Sequence, residues 1–139
     1  MSAAQNWLIV GGLANLLISV LTAYFLYWSR VRNREEPAQR YGMVSHKVSL
    51  WNGFLLLGLS IAIEHTNYAP TINTWLAVSE VISTFLADGS NLHRWAVGLQ
   101  DQFKQGPEWR VRAIGLVHLI DLIVISAILV GVARTALRL

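Results

Sequence analysis

Residues 7–28 read WLIVGGLANLLISVLTAYFLYW, twenty-two positions without one charged side chain. Lipid offers no partner for backbone amides, so a crossing segment must be a helix of about 20 mostly apolar residues. At 1.5 Å per residue this stretch covers roughly 33 Å. It opens on Trp7 and closes on Tyr24, Tyr27 and Trp28, the aromatic types that settle at the membrane–water boundary. A cleaved secretory leader is a poor match. The stretch is too long, lacks a basic leader and ends in aromatics instead of small residues.

The remaining sequence agrees with that reading. Of its 139 residues, 54% are hydrophobic and 14% charged, and the mean hydropathy is +0.44. Soluble domains carry about 25% charged residues, and disorder needs low hydrophobicity with high charge. Both classes are excluded. The chain has no cysteine, which removes disulfides, thiolate metal sites and thiol nucleophiles. Further spans are expected at about 44–63, 69–87 and 111–133, with connecting loops at 29–43 and 88–110. Pro70 falls in the first turn of the third span, where proline is tolerated, and Glu80 makes that span the most polar. Lys47, near the start of the second, can reach the headgroups by snorkelling. The fold expected is an all-α, integral membrane four-helix bundle forming one domain over residues 1–139.

Nine of the eleven basic residues lie in or beside the first and third loops: Arg30, Arg32, Arg34, Arg40, Lys47, Arg94, Lys104, Arg110 and Arg112. Arg134 and Arg138 lie in the C-terminal tail. Excess Lys and Arg mark the cytoplasmic side, so both termini are expected to face away from it, in a bacterial inner membrane. The sequence pI near 9.7 then reflects topology, and no nucleic-acid partner is expected. Within the third loop, Trp95, Leu99 and Phe103 recur at i, i+4 and i+8. That spacing suits either a surface-lying helix or a loop with scattered apolar residues.

Ionisable groups inside a span cost about 2.5–3.5 kcal/mol at the centre on insertion scales, which makes them functional candidates. Here these are His46, Glu80, His118 and Asp121, with the amides of Asn15 and Asn52. The positions of His46, Asn52, Glu80, His118 and Asp121 along the last three helices fall in the cytoplasmic half, which points to one shared polar site. Gly42, His46, Ser49, Gly53 and Ser60 fall near one stripe of the second helix. Gly12, Asn15, Ser19 and Thr22 do the same on the first. Bare backbone at Gly53 suits either a flat macrocycle lying on the helix or close packing against a neighbouring helix. His118 and Asp121, three apart, can hydrogen-bond. Glu80 suits either chemistry or a protonated carboxyl bonded to Asn15 or His118.

One longer pattern stands out: Ser45-His46, five residues, then Asn52-Gly53 and Phe54-Leu55-Leu56-Leu57-Gly58. It resembles the second-helix signature of the styrene oxide isomerase and hydroxylaminobenzene mutase family, small four-helix membrane enzymes. The resemblance implies haem b in the bilayer, with His46 as the iron ligand and Ser49 and Gly53 beside the cofactor. It also implies Asn52 orienting the substrate at the open side of the iron, and a homotrimer with haem near the subunit contacts. The isomerases steer substrate with a tyrosine in helix 3, and residues 81–88 contain none, so styrene oxide itself is a poor match as the substrate. The activity implied is rearrangement of a small hydrophobic epoxide or aryl hydroxylamine, with ferric haem as Lewis acid and Glu80 or Asp121 steadying a cation. Three rival readings use the same residues differently. They are a b-type cytochrome with His46 and His118 as two axial ligands, an accessory anchor subunit of a respiratory complex, and a proton-coupled transporter using Glu80, Asp121 and His118.

Overall fold

The computed structural model describes residues 1–33, 40–101, 104 and 107–138. Four long α-helices dominate them: α1 Ala3–Asn33, α2 Arg40–Ala62, α3 Pro70–Ala96 and α4 Glu108–Leu137. A single 3-10 turn, Ile63–His65, follows α2. Arg34 and Phe103 lie outside the described residues.

The helices run up, down, up and down. At one end, Ser2 Oγ donates to Glu64, and Tyr68 Oη donates to the Ala127 carbonyl at 2.9 Å. At the other, Arg40 reaches the Gln100 carbonyl at 3.2 Å. Helices α1, α2 and α3 pack against one another, whereas α4 lies chiefly on α3. Three segments are long and apolar enough to cross a membrane, 3–32, 40–65 and 111–137. At 27 residues α3 is long enough too, but carries Glu80, Asp88 and Arg94. All three are buried, while Ile72, Trp75, Ile82, Phe85 and Leu86 point outward. The surface α3 offers to lipid is therefore apolar, and its polarity is spent inside the bundle.

That arrangement holds for the whole molecule. Exposed positions include Leu13, Leu17, Val20, Leu122, Ile123 and Leu129, and the interior holds Asn15, Ser19, Ser45, Ser49, Glu80 and Asp88. An apolar core of Leu8, Leu56, Ile63, Ala77, Val81, Val124 and Ile128 fills the half nearer Glu64. The half nearer the basic loops is polar.

Two of the sequence expectations change. The loop expected at 88–110 is largely helical, because α3 continues to Ala96. Asp88, Asn91 and Arg94 follow Glu80 and Thr84 at spacings of three and four, so the buried polar face never breaks. Trp95 belongs to this helix instead of a separate surface-lying one. The second change concerns Gly53. A Cβ there would lie 2.6 Å from Leu16 Cδ2 and 3.1 Å from the Gly12 carbonyl, and one on Gly12 would lie 3.1 Å from the Gly53 carbonyl. The bare stripe of α2 is filled by α1, so small residues serve close helix packing here. Gly53→Val is expected to destabilise the protein by about 1–3 kcal/mol through overpacking. Thermal unfolding in detergent would show this, and an unchanged midpoint would contradict the close approach.

Candidate functional site

The polar half contains three groupings instead of the single site expected. The first lies between α1 and α2. Ser19 Oγ donates to the His46 carbonyl at 3.0 Å, and His46 Nδ1 is 3.0 Å from the Ser19 carbonyl and 2.9 Å from Ser19 Oγ. A carbonyl can only accept, so Nδ1 carries the hydrogen. In the neutral ring Nε2 then holds the lone pair. His46 is half-buried.

The second grouping joins α2 to α3. Asn52 Nδ2 donates to Asp88 Oδ1 at 3.2 Å, which holds the amide in one orientation. Ser49 is fully buried one turn earlier on α2. Asp88 was not among the sequence candidates, although its spacing from Thr84 and Asn91 on the same face could have found it.

The third grouping joins α3 to α4. Glu80 is 0% exposed, and neither carboxyl oxygen has a hydrogen-bond partner among the described residues. Asp121 is close enough for the two charges to repel. Asp121 is itself held by Ser83 Oγ, and its other oxygen lies 3.4 Å from His118 Nδ1. His118 is 65% exposed, at the edge of the bundle. Asn15 reaches neither carboxylate: its amide donates to the Gly11 carbonyl at 2.9 Å and to Thr84 Oγ1 at 3.4 Å.

Toward the basic end, Arg94 closes the polar face of α3. Its Nη1 donates to Asn91 Oδ1 at 3.1 Å, and its guanidinium carbon stands 5.4 Å from the centroid of the Tyr41 ring. Arginine keeps its charge even where burial disfavours it.

The residues can be tested for haem. Among the described residues no cluster of three or more His, Cys, Asp or Glu side chains could cage a bare metal ion. Haem needs no cage, because its four nitrogens occupy the equatorial positions and one imidazole suffices. His46 fits that role: metal-ligating histidines commonly donate their other N–H to a backbone carbonyl or carboxylate, which sets the tautomer. Gly53 does not fit a cofactor-facing role, since Leu16 and the Gly12 backbone cover it. Ser49 lies within the helix packing instead of on an open face. Among the described residues, His46 and His118 do not face a common site. His46 meets α1, whereas Val44 and Val48, close to the opposite side of α2 at 100° per residue, share a cavity with His118.

No family model matches the chain, and neither characterised proteins nor solved structures give a match.

Proposed function

We propose that this chain is a membrane-embedded haem-dependent isomerase or mutase that rearranges a small hydrophobic epoxide or aryl hydroxylamine. One observation carries the reading: Nδ1 of the half-buried His46 donates to the Ser19 carbonyl, which leaves Nε2 as the nitrogen free to serve as a ligand. That is the state an axial ligand requires. When bound, ferric haem supplies a Lewis-acidic centre for the oxygen of the substrate.

The chain's own residues account for the rest of the reading. Ser19 anchors the ring of His46 from two directions, so the ligand nitrogen is held in place before the cofactor arrives. Asn52 orients the substrate oxygen, and Asp88 keeps its amide from turning. Apolar surroundings keep water from trapping a cationic species. Six residues at 100° each turn Asn52 roughly 120° from His46 on α2. The reading includes the homotrimer that the resemblance implies. Glu80 and Asp121 form a separate acidic pair between α3 and α4 that steadies positive charge. The distribution of nine basic residues against two supports a topology with both termini outside the cytoplasm, in a bacterial inner membrane.

Purification of the full chain in mild detergent, from cells supplied with haem, tests this. A strong Soret band with the features of five-coordinate ferric haem is expected. A colourless preparation would overturn the reading, and a six-coordinate spectrum with two histidines would favour an electron carrier.

A further inference from the structure

Arg94 is 8% exposed, yet no carboxylate of the described residues pairs with it. Its contacts are the Asn91 side-chain oxygen and the face of Tyr41, and Nη2 has no hydrogen-bond partner among the described residues. The nearest acid along the same face, Asp88, turns Oδ1 to Asn52, and its Oδ2 has no partner among the described residues, Arg94 included. A buried guanidinium is costly unless an anion meets it, and buried charges in proteins are paired almost without exception.

The surroundings show what kind of anion would do so. Arg94, Asn91 and His118 line a cavity of about 210 Å³ between α2, α3 and α4, whose other walls include Val44 and Val48. Leu86, Ser90, Ile114 and Val117 are shared with a cleft of about 550 Å³ between α3 and α4, bounded further by Phe85 and Trp109. One compartment is small and cationic, and the adjoining one is larger and apolar. Arg94 lies in the last turn of α3, at the same end of the bundle as Arg40 and Arg112.

We propose that this paired cavity and cleft bind one anionic amphiphile, with a phosphate or carboxylate head on Arg94 and Asn91 and an acyl chain between α3 and α4. The site uses none of the residues assigned to haem and does not depend on that reading. A guanidinium meets either oxyanion through two N–H groups, so the two heads share one recognition chemistry. Their sources differ: a phospholipid of the bilayer supplies the phosphate, and a free fatty acid supplies the carboxylate.

Native mass spectrometry of the detergent-solubilised full chain tests the assignment, with phosphatidylglycerol, phosphatidylcholine of matched acyl chains, and oleate as separate probes. One retained phosphatidylglycerol or one retained oleate is expected, with phosphatidylcholine held weakly; the stronger of the first two identifies the source. Arg94→Gln should lower that retention roughly tenfold, the effect of losing a charged hydrogen bond. Ile114→Trp, at a position that lines both the cleft and the cavity, fills space the amphiphile would occupy while keeping Arg94, and should lower retention as well, which covers the case where Arg94→Gln fails to fold. Equal retention in wild type and Ile114→Trp, or no retention of either anion by wild type, would overturn the proposal.

Discussion

His46→Ala is expected to abolish the Soret band of the purified protein, and imidazole added to the buffer is expected to restore it. The restoration follows from geometry. Ser19 holds the natural ring through its carbonyl and hydroxyl, and neither group is removed by the substitution. Truncation to a methyl group would leave a space of imidazole size at a half-buried position, with a hydrogen-bond acceptor already in place. A free imidazole donating to the Ser19 carbonyl would present its second nitrogen as the natural ring does. A Soret band unchanged in His46→Ala would move the ligand elsewhere. Permanent loss without rescue would show that the imidazole is needed for folding.

Glu80→Leu is expected to make the protein more stable while lowering its activity. Both oxygens of Glu80 are fully buried without a hydrogen-bond partner among the described residues, and Asp121 adds like-charge repulsion. Leaving a buried polar group unsatisfied costs about 1–3 kcal/mol, and an apolar side chain of similar size removes that cost. Glu80→Gln relieves the repulsion but still buries a polar group, so its gain should be smaller. Thermal unfolding in detergent checks the order Leu, then Gln, then wild type. A fall in stability for Glu80→Leu would mean that a bound molecule satisfies the carboxyl. Retention of such an unfavourable group is the usual mark of a functional position.

Much of this architecture was legible along the chain. Residues 7–28 demand a helix because a charge-free run of that length has no other way to satisfy its backbone in lipid. Polar residues at spacings of three and four, such as Gly12, Asn15, Ser19 and Thr22, announce which face of a helix avoids lipid, and Asn15, Ser19 and Thr22 are all buried. The extension of α3 to Ala96 was harder to see, because Asp88 and Arg94 look like the end of a span when read by hydropathy alone. Read by face, they continue the buried stripe that begins at Glu80.

The choice of partners was not legible. Asn52, Glu80 and Asp121 all fall at similar depth, so depth alone suggested one site. Rotation about each helix separates them: Asn52 turns to Asp88, His46 turns to Ser19, and Asp121 turns to Ser83 and His118. Gly53 shows the same ambiguity from the other side, since an absent side chain accommodates a cofactor or a neighbouring helix equally well. Leu16 decides the matter.

The amino-acid sequence by itself determined that this chain is helical, lipid-embedded and polar within, because lipid imposes backbone self-satisfaction and a period of 3.6 residues sorts the side chains. Only the tertiary structure decided that His46 turns its Nδ1 to Ser19 and that, among the described residues, no carboxylate pairs with Arg94. Such facts depend on atoms brought together from residues far apart in the chain, and helical periodicity carries no information about which faces meet.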